Sequence, residues 1–423
     1  MLLAAIPLLL IPYDSLTHLL GFDPGETSQT LPATAVFSLV YLVLREGQLR
    51  VTAVGRRVMQ LLFFAFACIA IVTLLNVIGE GLHLLDGNIY LRTYAGSRQA
   101  LSLALGFTSF LMFQDVLARL GLRSACRWIV VGVLPSLVLC GVQILQGNYR
   151  IQGFSSEPSQ LGDMLVLAFL PASAYAGLRL RNRVAVMMPG SVALFASFSG
   201  TAIMKAVFAV FSLFAVRGNI VRGLVVASIA LTVTSGILML YPDNYLFQLF
   251  GLFQSFLDSG TLIGGSFIDR FFGFVGPLHL LDQPKGWLGV GLGGDTVYFD
   301  SMFDPATAEA IRSQKTGLAS ISSHQGKMLL YGGLLGITLY LSAWWAAWRG
   351  LPSRHPARFM IPTVFAASIF SLGPLFLPYI WLWLAFGATA RRETESPVAS
   401  RGDADATTTL SPTTAAVPRG PFP

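Results

Sequence analysis

The sequence predicts an all-α, polytopic helical membrane protein. Of its 423 residues, 54% are hydrophobic and only 12% are charged, whereas a soluble domain carries about 25% charged residues. Apolar runs of roughly 20 residues recur along the chain, and this is the length that a helix needs to cross a bilayer. Because the bilayer core offers no water to the backbone, such runs must form helices.

About twelve transmembrane spans can be assigned along the chain. The first span and the last two are short, and Pro374 and Pro378 interrupt the last pair. The two spans that meet near Gly200 are tightly connected, so a re-entrant hairpin is an alternative there. The predicted spans are residues 1–12, 31–45, 58–78, 97–116, 126–146, 161–178, 184–199, 200–216, 219–241, 323–348, 359–374 and 376–390.

Basic residues predict the orientation of these spans. Alternate connections and the start of the C-terminal tail hold 17 of the 28 lysines and arginines, and such connections stay in the cytoplasm. The net charge of +7 is therefore a topology signal and does not indicate nucleic-acid binding. Both termini should be cytoplasmic. The basic segments are residues 45–57, 119–127, 179–183, 217–222, 349–358 and 391–392.

This orientation divides the chain into four regions. Residues 1–241 hold nine spans and an outward loop, residues 242–322 form one large periplasmic loop, and residues 323–390 hold three more spans. The tail, 391–423, is rich in Thr, Ala, Pro and Ser, and we expect it to be disordered. Within the large loop, we expect an amphipathic helix on the outer leaflet at 244–258 and a short helix starting at Asp304-Pro305.

The sequence gives no sign of a metal or cofactor. Cys68, Cys126 and Cys140 lie in or beside apolar runs and lack metal-binding spacing. The glycine-rich segment 286–294 lacks the Lys-Ser/Thr of a phosphate-binding P-loop. We predict instead that Gly289 and Gly291 shape a tight turn that lets the backbone approach a neighbour or a ligand.

A polar loop separates two long apolar runs and carries an arginine and a glutamate, Arg150 and Glu157. Gly153 and Pro158 should bend the chain between and after them. An ordinary connector with solvated charges is one interpretation, and a loop lining a reaction chamber at the outer face is the other.

Three further polar residues are candidates at the outer face: Lys205, Arg270 and His324. A lysine inside a span suggests function, although Lys205 could also be an anchor that reaches the interface. Arg270 could be solvated and paired with Asp269, and His324 could cap a helix. Cytoplasmic loops are too short for a nucleotide-binding domain, so a substrate must arrive already activated. A lipid-linked diphosphate fits, because arginine forks bind diphosphates and apolar grooves bind polyprenyl chains.

The order of these motifs resembles the bacterial O-antigen polymerase and ligase family, which includes the Wzy-type polysaccharide polymerases. The loop reads Arg-x-x-Gly-x-x-x-Glu-Pro-Ser from Arg150 and precedes an apolar span. Arg270, the turn 289–293 and His324 before Gly332-Gly333 follow in the family's order, and the resemblance covers about 110–340. The Ser199-Gly200-Thr201 stretch departs from the family, which often has Ser-Arg there, and Lys205 could supply that charge.

The resemblance implies a membrane glycosyltransferase with a GT-C-like fold in the bacterial inner membrane, with its active site facing the periplasm. Its donor would be an oligosaccharide repeat linked to undecaprenyl diphosphate, without metal or nucleotide cofactor. By this analogy Arg150, Arg270 and Lys205 bind the diphosphate, and His324 acts at the acceptor. Glu157 is either the base or an orienting partner of Arg150, and Glu157-Pro158 favours a polymerase over a ligase.

The resemblance further implies a flippase and a chain-length regulator as partners in the same membrane. A transporter or flippase is the alternative from another class, because twelve spans suit it equally. Transporters usually show repeated halves and midplane polar sites between broken helices. The sequence shows neither clearly, and its polar residues collect at the predicted outer face.

The orientation can be tested by labelling single cysteines in intact cells. A cysteine at Thr307 should react with a membrane-impermeant reagent, because it lies in the outward loop, and one at Arg222 should not. The opposite pattern would invert the topology and remove the candidate residues from the outer face.

Overall fold

The fold is known from a computed structural model of the chain. Every regular element in the described residues is a helix, in agreement with the predicted class. The structure describes residues 2–12, 33–46, 48–81, 88–148, 151–155, 158–197, 199, 266–303, 305–312, 321, 323–349, 351, 355, 357–369, 375 and 377–395, together with 202, 205–207, 209–210, 219, 221–222, 224–225, 228–229 and 232.

Outside residues 242–322, the described helices follow the predicted apolar runs in order, and five more helices lie within that predicted loop. In chain order, the described elements are α1 (Leu2–Leu9), α2 (Ala33–Leu44), α3 (Ala53–Gly81), α4 (Asn88–Leu120), α5 (Leu122–Leu145), α6 (Pro158–Met164), a π-helical turn (Leu165–Phe169), α7 (Leu170–Tyr175), α8 (Leu180–Ala196), α9 (Ser266–His279), a 3₁₀ turn (Leu280–Asp282), α10 (Pro284–Leu288), α11 (Gly294–Val297), α12 (Phe299–Met302), α13 (Pro305–Arg312), α14 (His324–Trp348), α15 (Ala357–Ile369) and α16 (Pro378–Glu395).

By length and composition, four helices in the described part of the chain are candidates to cross a membrane: α3, α4, α5 and α14, of which α14 is interrupted at Gly333. The chain is therefore a helical membrane protein. The other predicted spans with described helices are shorter, and the predicted spans 200–216 and 219–241 lie largely outside the described residues. The total of twelve spans stays a prediction, as does the helix at 244–258, which lies wholly outside them.

The last helix, α16, lies at the centre of the bundle. Each of its residues from 378 to 390 is buried, and it packs against α3, α4, α14 and α15. A helix that is apolar on all sides is stable where other helices surround it. The Trp381 ring lies directly over Gly106 of α4, where any side chain would collide with it. Helix α16 continues to Glu395, through the first five residues of the predicted tail.

One end of the bundle is held together by the buried carboxylate of Asp115. Its Oδ2 accepts hydrogen bonds from the Tyr41 hydroxyl and from Arg119 Nε, both at 2.7 Å. Its Oδ1 accepts from the backbone N–H of Arg50 at 2.8 Å, and Arg45 lies 3.6 Å away. The carboxylate thereby joins α2, the 48–50 connection and α4, and it neutralises part of the charge of two basic connections.

Two more basic connections lie next to one another. Arg127 Nε donates to the carbonyl of Ala176 at 3.0 Å, and the Tyr175 hydroxyl lies 3.1 Å from His355 Nε2. Contacts therefore link four basic segments at one end of the bundle: 45–57, 119–127, 179–183 through the preceding residues 175–176, and 349–358. This arrangement fits their predicted location on one side of the membrane.

Helix α14 is not the straight span that the sequence predicts. Gly333 has φ 60° and ψ −158°, which interrupts the helix. The rings of His324 and Tyr340 are 5.5 Å apart, although residues 16 apart in a straight helix are separated by about 24 Å. A Cβ on Gly336 would lie 3.7 Å from the Met328 carbonyl oxygen. Helix α14 therefore folds back on itself, and we call it the α14 hairpin, with a first leg (324–332) and a second leg (334–348).

The glycine-rich turn supplies the hydrogen bonds that the break in α14 leaves open. Val290 N–H donates to the Leu330 carbonyl at 2.8 Å, and Gly291 N–H donates to the Tyr331 carbonyl at 3.2 Å. Gly289 has φ 91°, and a side chain there would lie 2.5 Å from the Gly333 nitrogen. The backbone that this turn approaches is the tip of the α14 hairpin.

The same turn is fixed on its other side by α3 and α4. Thr73 Oγ1 accepts from the Leu292 N–H at 2.8 Å, and Gln99 Oε1 accepts from the Gly293 N–H at 2.6 Å. Arg92 donates to the Val290 carbonyl. The segment predicted as a periplasmic loop thus enters the helical bundle, where buried polar side chains satisfy its backbone.

We predict that Gly289→Ala destabilises the protein by at least about 2 kcal/mol, because a side chain in left-handed backbone would also collide with the hairpin tip. Thermal unfolding in detergent would measure the loss. Gly79→Ala is the matched control, since nothing lies within 4 Å of its Cβ position, and it should not lower stability. Equal behaviour of the two variants would contradict the docking of the turn.

Candidate functional site

The predicted catalytic histidine, His324, lies inside the bundle and not at the mouth of a span. Its side chain is 1% exposed, and its ring lies 5.5 Å from that of Tyr340 and 6.2 Å from that of Trp381. The reason for the difference is the α14 hairpin, whose first leg runs antiparallel to the second and carries its own start back into the core. Ser323 caps this leg by accepting from the Gly326 N–H at 3.1 Å.

Several polar atoms around His324 are buried without a hydrogen-bond partner among the described residues. They are both ring nitrogens of His324, Oε1 of Gln325, the hydroxyl of Tyr340 and Nε1 of Trp344. Gln325 is held in place through its other amide atom, which donates to Ser368 Oγ and to the Phe365 carbonyl. Buried polar groups are nearly always hydrogen-bonded, so this set, which we call the hairpin cluster, is the candidate functional site.

Sequence reasoning missed three members of the hairpin cluster: Gln325, Tyr340 and Trp344. The available signal was Gly332-Gly333 at the middle of an apolar run, since paired glycines can break a helix. If the run folds back at Gly333, His324 and Tyr340 lie nine and seven residues from the break and face each other across the two legs. Nothing in the apolar periodicity itself distinguishes this hairpin from a straight span.

The helix that contains Arg270 packs against the start of the α14 hairpin. The Gly273 carbonyl of α9 lies so close to Gly326 that a Cβ there would be 2.2 Å from its oxygen. Arg270 precedes Gly273 by about one helical turn, and His324 precedes Gly326 by two residues. The structure therefore brings the helices carrying these two predicted residues together, although it describes only the backbone of Arg270.

Lys205 is buried and paired with a carboxylate. It is 1% exposed, and its ammonium group forms a salt bridge with Asp163. Because the protein already neutralises this charge, binding of a diphosphate by Lys205 would require competition with Asp163. The sequence carried a signal for Asp163 that we did not use, because an acidic residue inside an apolar run suggests a specific role.

The polar loop is described only in part. Arg150 and Glu157 lie outside the described residues, so their predicted roles stay predictions. Gly153 has φ 60°, and a side chain there would approach Ser136 Oγ to 2.5 Å, which accounts for a glycine at this bend. Pro158 is the first residue of α6, where its missing N–H costs nothing.

No group of histidine, cysteine, aspartate and glutamate side chains that could hold a metal ion occurs among the residues that the structure describes. A scan of protein-family models finds no match to the chain, and a search of curated proteins finds no significant similarity. The resemblance to the polymerase and ligase family therefore depends on the short sequence motifs.

We predict that Lys205→Met lowers stability by about 3–5 kcal/mol, because it leaves the Asp163 carboxylate buried without its partner. The double variant Lys205→Met/Asp163→Leu should regain most of that loss in thermal unfolding. Activity of the double variant then separates the two roles of Lys205. A stable but inactive double variant would support a role in substrate binding, and a stable, active one would assign the pair to folding.

Proposed function

We propose that this protein is a membrane glycosyltransferase that polymerises undecaprenyl-diphosphate-linked oligosaccharide repeats at the outer face of the bacterial inner membrane. The observation that carries the proposal is the packing of three separate motifs into one unit. The α9 helix with Arg270 and the turn with Gly289 and Gly291 both contact the α14 hairpin with His324.

The reaction would replace one glycosidic bond by another. An acceptor hydroxyl loses its proton to His324, its oxygen attacks the anomeric carbon of the donor, and the bond from that carbon to the diphosphate oxygen breaks. The electron pair leaves with undecaprenyl diphosphate, and arginines stabilise the growing negative charge. Arg270, together with Arg150, would perform this role, and Glu157 would serve as an alternative base or orient Arg150.

Because His324 is buried, the proposed reaction requires a route by which the acceptor reaches it. With 1% of its side chain exposed, the histidine contacts no bulk solvent, and the first leg must separate from Trp381 to admit an acceptor. The break at Gly333 supplies a point about which the leg can move. Closure of the leg would exclude water, which would otherwise compete as acceptor.

A transporter or flippase is the second candidate, and one observation favours it. Broken helices with polar groups inside the bundle are typical of secondary transporters, and the α14 hairpin has both features. The motif order and the predicted outer location of Arg150, Glu157 and Arg270 favour the polymerase. A ligase would share this fold and differs in its acceptor.

Loss of the protein should therefore leave single repeats on the lipid carrier at the outer leaflet, because chain extension stops there. Glycolipid analysis of deletion cells measures this. Full-length chains on the carrier would indicate a ligase, and repeats retained on the cytoplasmic leaflet would indicate a flippase. Purified protein should lengthen lipid-linked repeats without added ATP, nucleotide sugar or metal, and failure to do so would contradict the proposal.

Substitution of Arg270 should reduce chain growth roughly 10²–10³-fold even when its charge is kept, because lysine lacks the two-pronged geometry that binds a diphosphate. The comparison is Arg270→Lys against Arg312→Lys. Arg312 is exposed in the same loop and pairs with Asp300 at 2.6 Å, so its variant should retain activity. If both variants had similar activity, Arg270 would be a solvated loop residue with no role in binding the diphosphate.

Substitution of His324 by alanine should abolish chain growth, because the acceptor hydroxyl then has no base at that position. His279→Ala is the matched control, since His279 ends α9 and is exposed. Growth of polymer in the assay with purified His324→Ala protein would remove the histidine from the mechanism.

A further inference from the structure

We infer that the interior of the α14 hairpin is a saccharide-binding subsite formed by Gln325, Tyr340 and Trp344 around His324. The four side chains are 3%, 0%, 4% and 1% exposed, respectively. Each carries at least one polar atom without a partner among the described residues. Two belong to the first leg and two to the second. The rings of His324 and Tyr340 are 5.5 Å apart, so a ligand that contacts all four side chains requires the two legs to separate.

The polar atoms of the cluster identify the class of ligand. Trp344 Nε1 is a donor, Gln325 Oε1 is an acceptor, and the Tyr340 hydroxyl and the imidazole can each do both. A sugar hydroxyl both donates and accepts, so it can satisfy every member of this set. A fully ionised phosphate accepts only and would leave Gln325 Oε1 without a donor.

The apolar surroundings agree with a neutral sugar. The rings of Tyr340 and Trp381 lie on two sides of His324, and Trp344 packs edge-on against Phe365 at 5.3 Å. Aromatic faces of this kind cover the C–H face of a sugar ring, and burying neutral hydroxyls costs less than burying a charge. No carboxylate belongs to the cluster, and the charged group that acts on it is the buried Lys327 of the first leg.

The position of Gln325 indicates that the cluster is prepared for a ligand. Its amide nitrogen is fixed by Ser368 and by the Phe365 carbonyl, which directs the unpartnered Oε1 in one orientation. Trp344 Nε1 lies near the Tyr340 hydroxyl but outside hydrogen-bonding geometry. A hydroxyl placed between the legs would satisfy these atoms at little cost in side-chain entropy.

This inference deepens the proposed function, on which its biological role rests, but binding can be measured separately from catalysis. The probe is a carrier-free oligosaccharide released from the host's own surface polysaccharide, and inorganic diphosphate is the comparison ligand. Binding to the purified full chain in detergent is measured by saturation-transfer NMR. We expect the oligosaccharide to bind and Trp344→Phe and Tyr340→Phe to weaken it roughly tenfold each, because each loses one hydrogen bond and keeps its ring.

Trp345→Phe is the matched control, because Trp345 is the next residue and is 55% exposed. It should bind the oligosaccharide like the unchanged protein, and diphosphate binding should be the same in all variants. Unchanged oligosaccharide binding in both Trp344→Phe and Tyr340→Phe would overturn the inference. Ordered water would then be the expected hydrogen-bond partner of the cluster's polar atoms. Selective loss of diphosphate binding would also overturn it, in favour of an anion site.

The outcomes separate this inference from the proposed function. Oligosaccharide binding that depends on Trp344 and Tyr340, without chain growth by the unchanged protein, would support the subsite and contradict the polymerase. Chain growth that is unaffected by Trp344→Phe and Tyr340→Phe, together with unchanged binding, would support the polymerase and contradict the subsite.

Discussion

The carbonyl groups released at the break in α14 impose the strongest constraint on this structure. A helix inside a bilayer satisfies its own backbone, and a break leaves polar groups where no water can reach them. Here the N–H groups of Val290 and Gly291 donate to the carbonyls of Leu330 and Tyr331. The glycine-rich turn is therefore held in the bundle by the hairpin tip, and the two segments depend on each other for stability.

This pairing accounts for the other unusual features nearby. A turn brought into the bundle carries its own backbone groups, and Thr73, Gln99 and Arg92 satisfy these from α3 and α4. The close approach of two backbones requires glycine at 289 and 333, which both have positive φ. The large loop therefore contributes to the core of the protein, and its helix α9 reaches the start of the first leg through Gly273 and Gly326.

The hairpin also decides the chemical setting of the candidate site. It encloses His324 between two legs and against the central helix α16, in surroundings that are aromatic and contain unpartnered polar atoms. Lys327, three residues further along the first leg, is buried as well, and its charge acts on His324.

The sequence by itself determined that this is a helical membrane protein, because its low charge and repeated apolar runs permit no other class, and it located most helices. The basic connections were predicted to lie at the same end of the helical bundle. The ion pairs of Asp115 with Arg45 and Arg119, from two of these connections, agree with that prediction. Gly289 and Gly291 were identified as a close-approach turn, since glycine is needed where backbones meet. The sequence named His324 and Lys205, but it gave neither the burial of the histidine nor the pairing of the lysine with Asp163.

Tertiary structure decided the rest. Apolar periodicity reports which residues avoid water, and a hairpin buried in a bundle has the same composition as a straight span, so the fold-back at Gly333 could not be predicted from it. For the same reason, the meeting of His324 with Tyr340 and Trp381 came from the fold-back of α14 and its packing against α16, which is distant in sequence. The central position of α16 follows from the helices around it, because its own short apolar run specifies burial without specifying the neighbours.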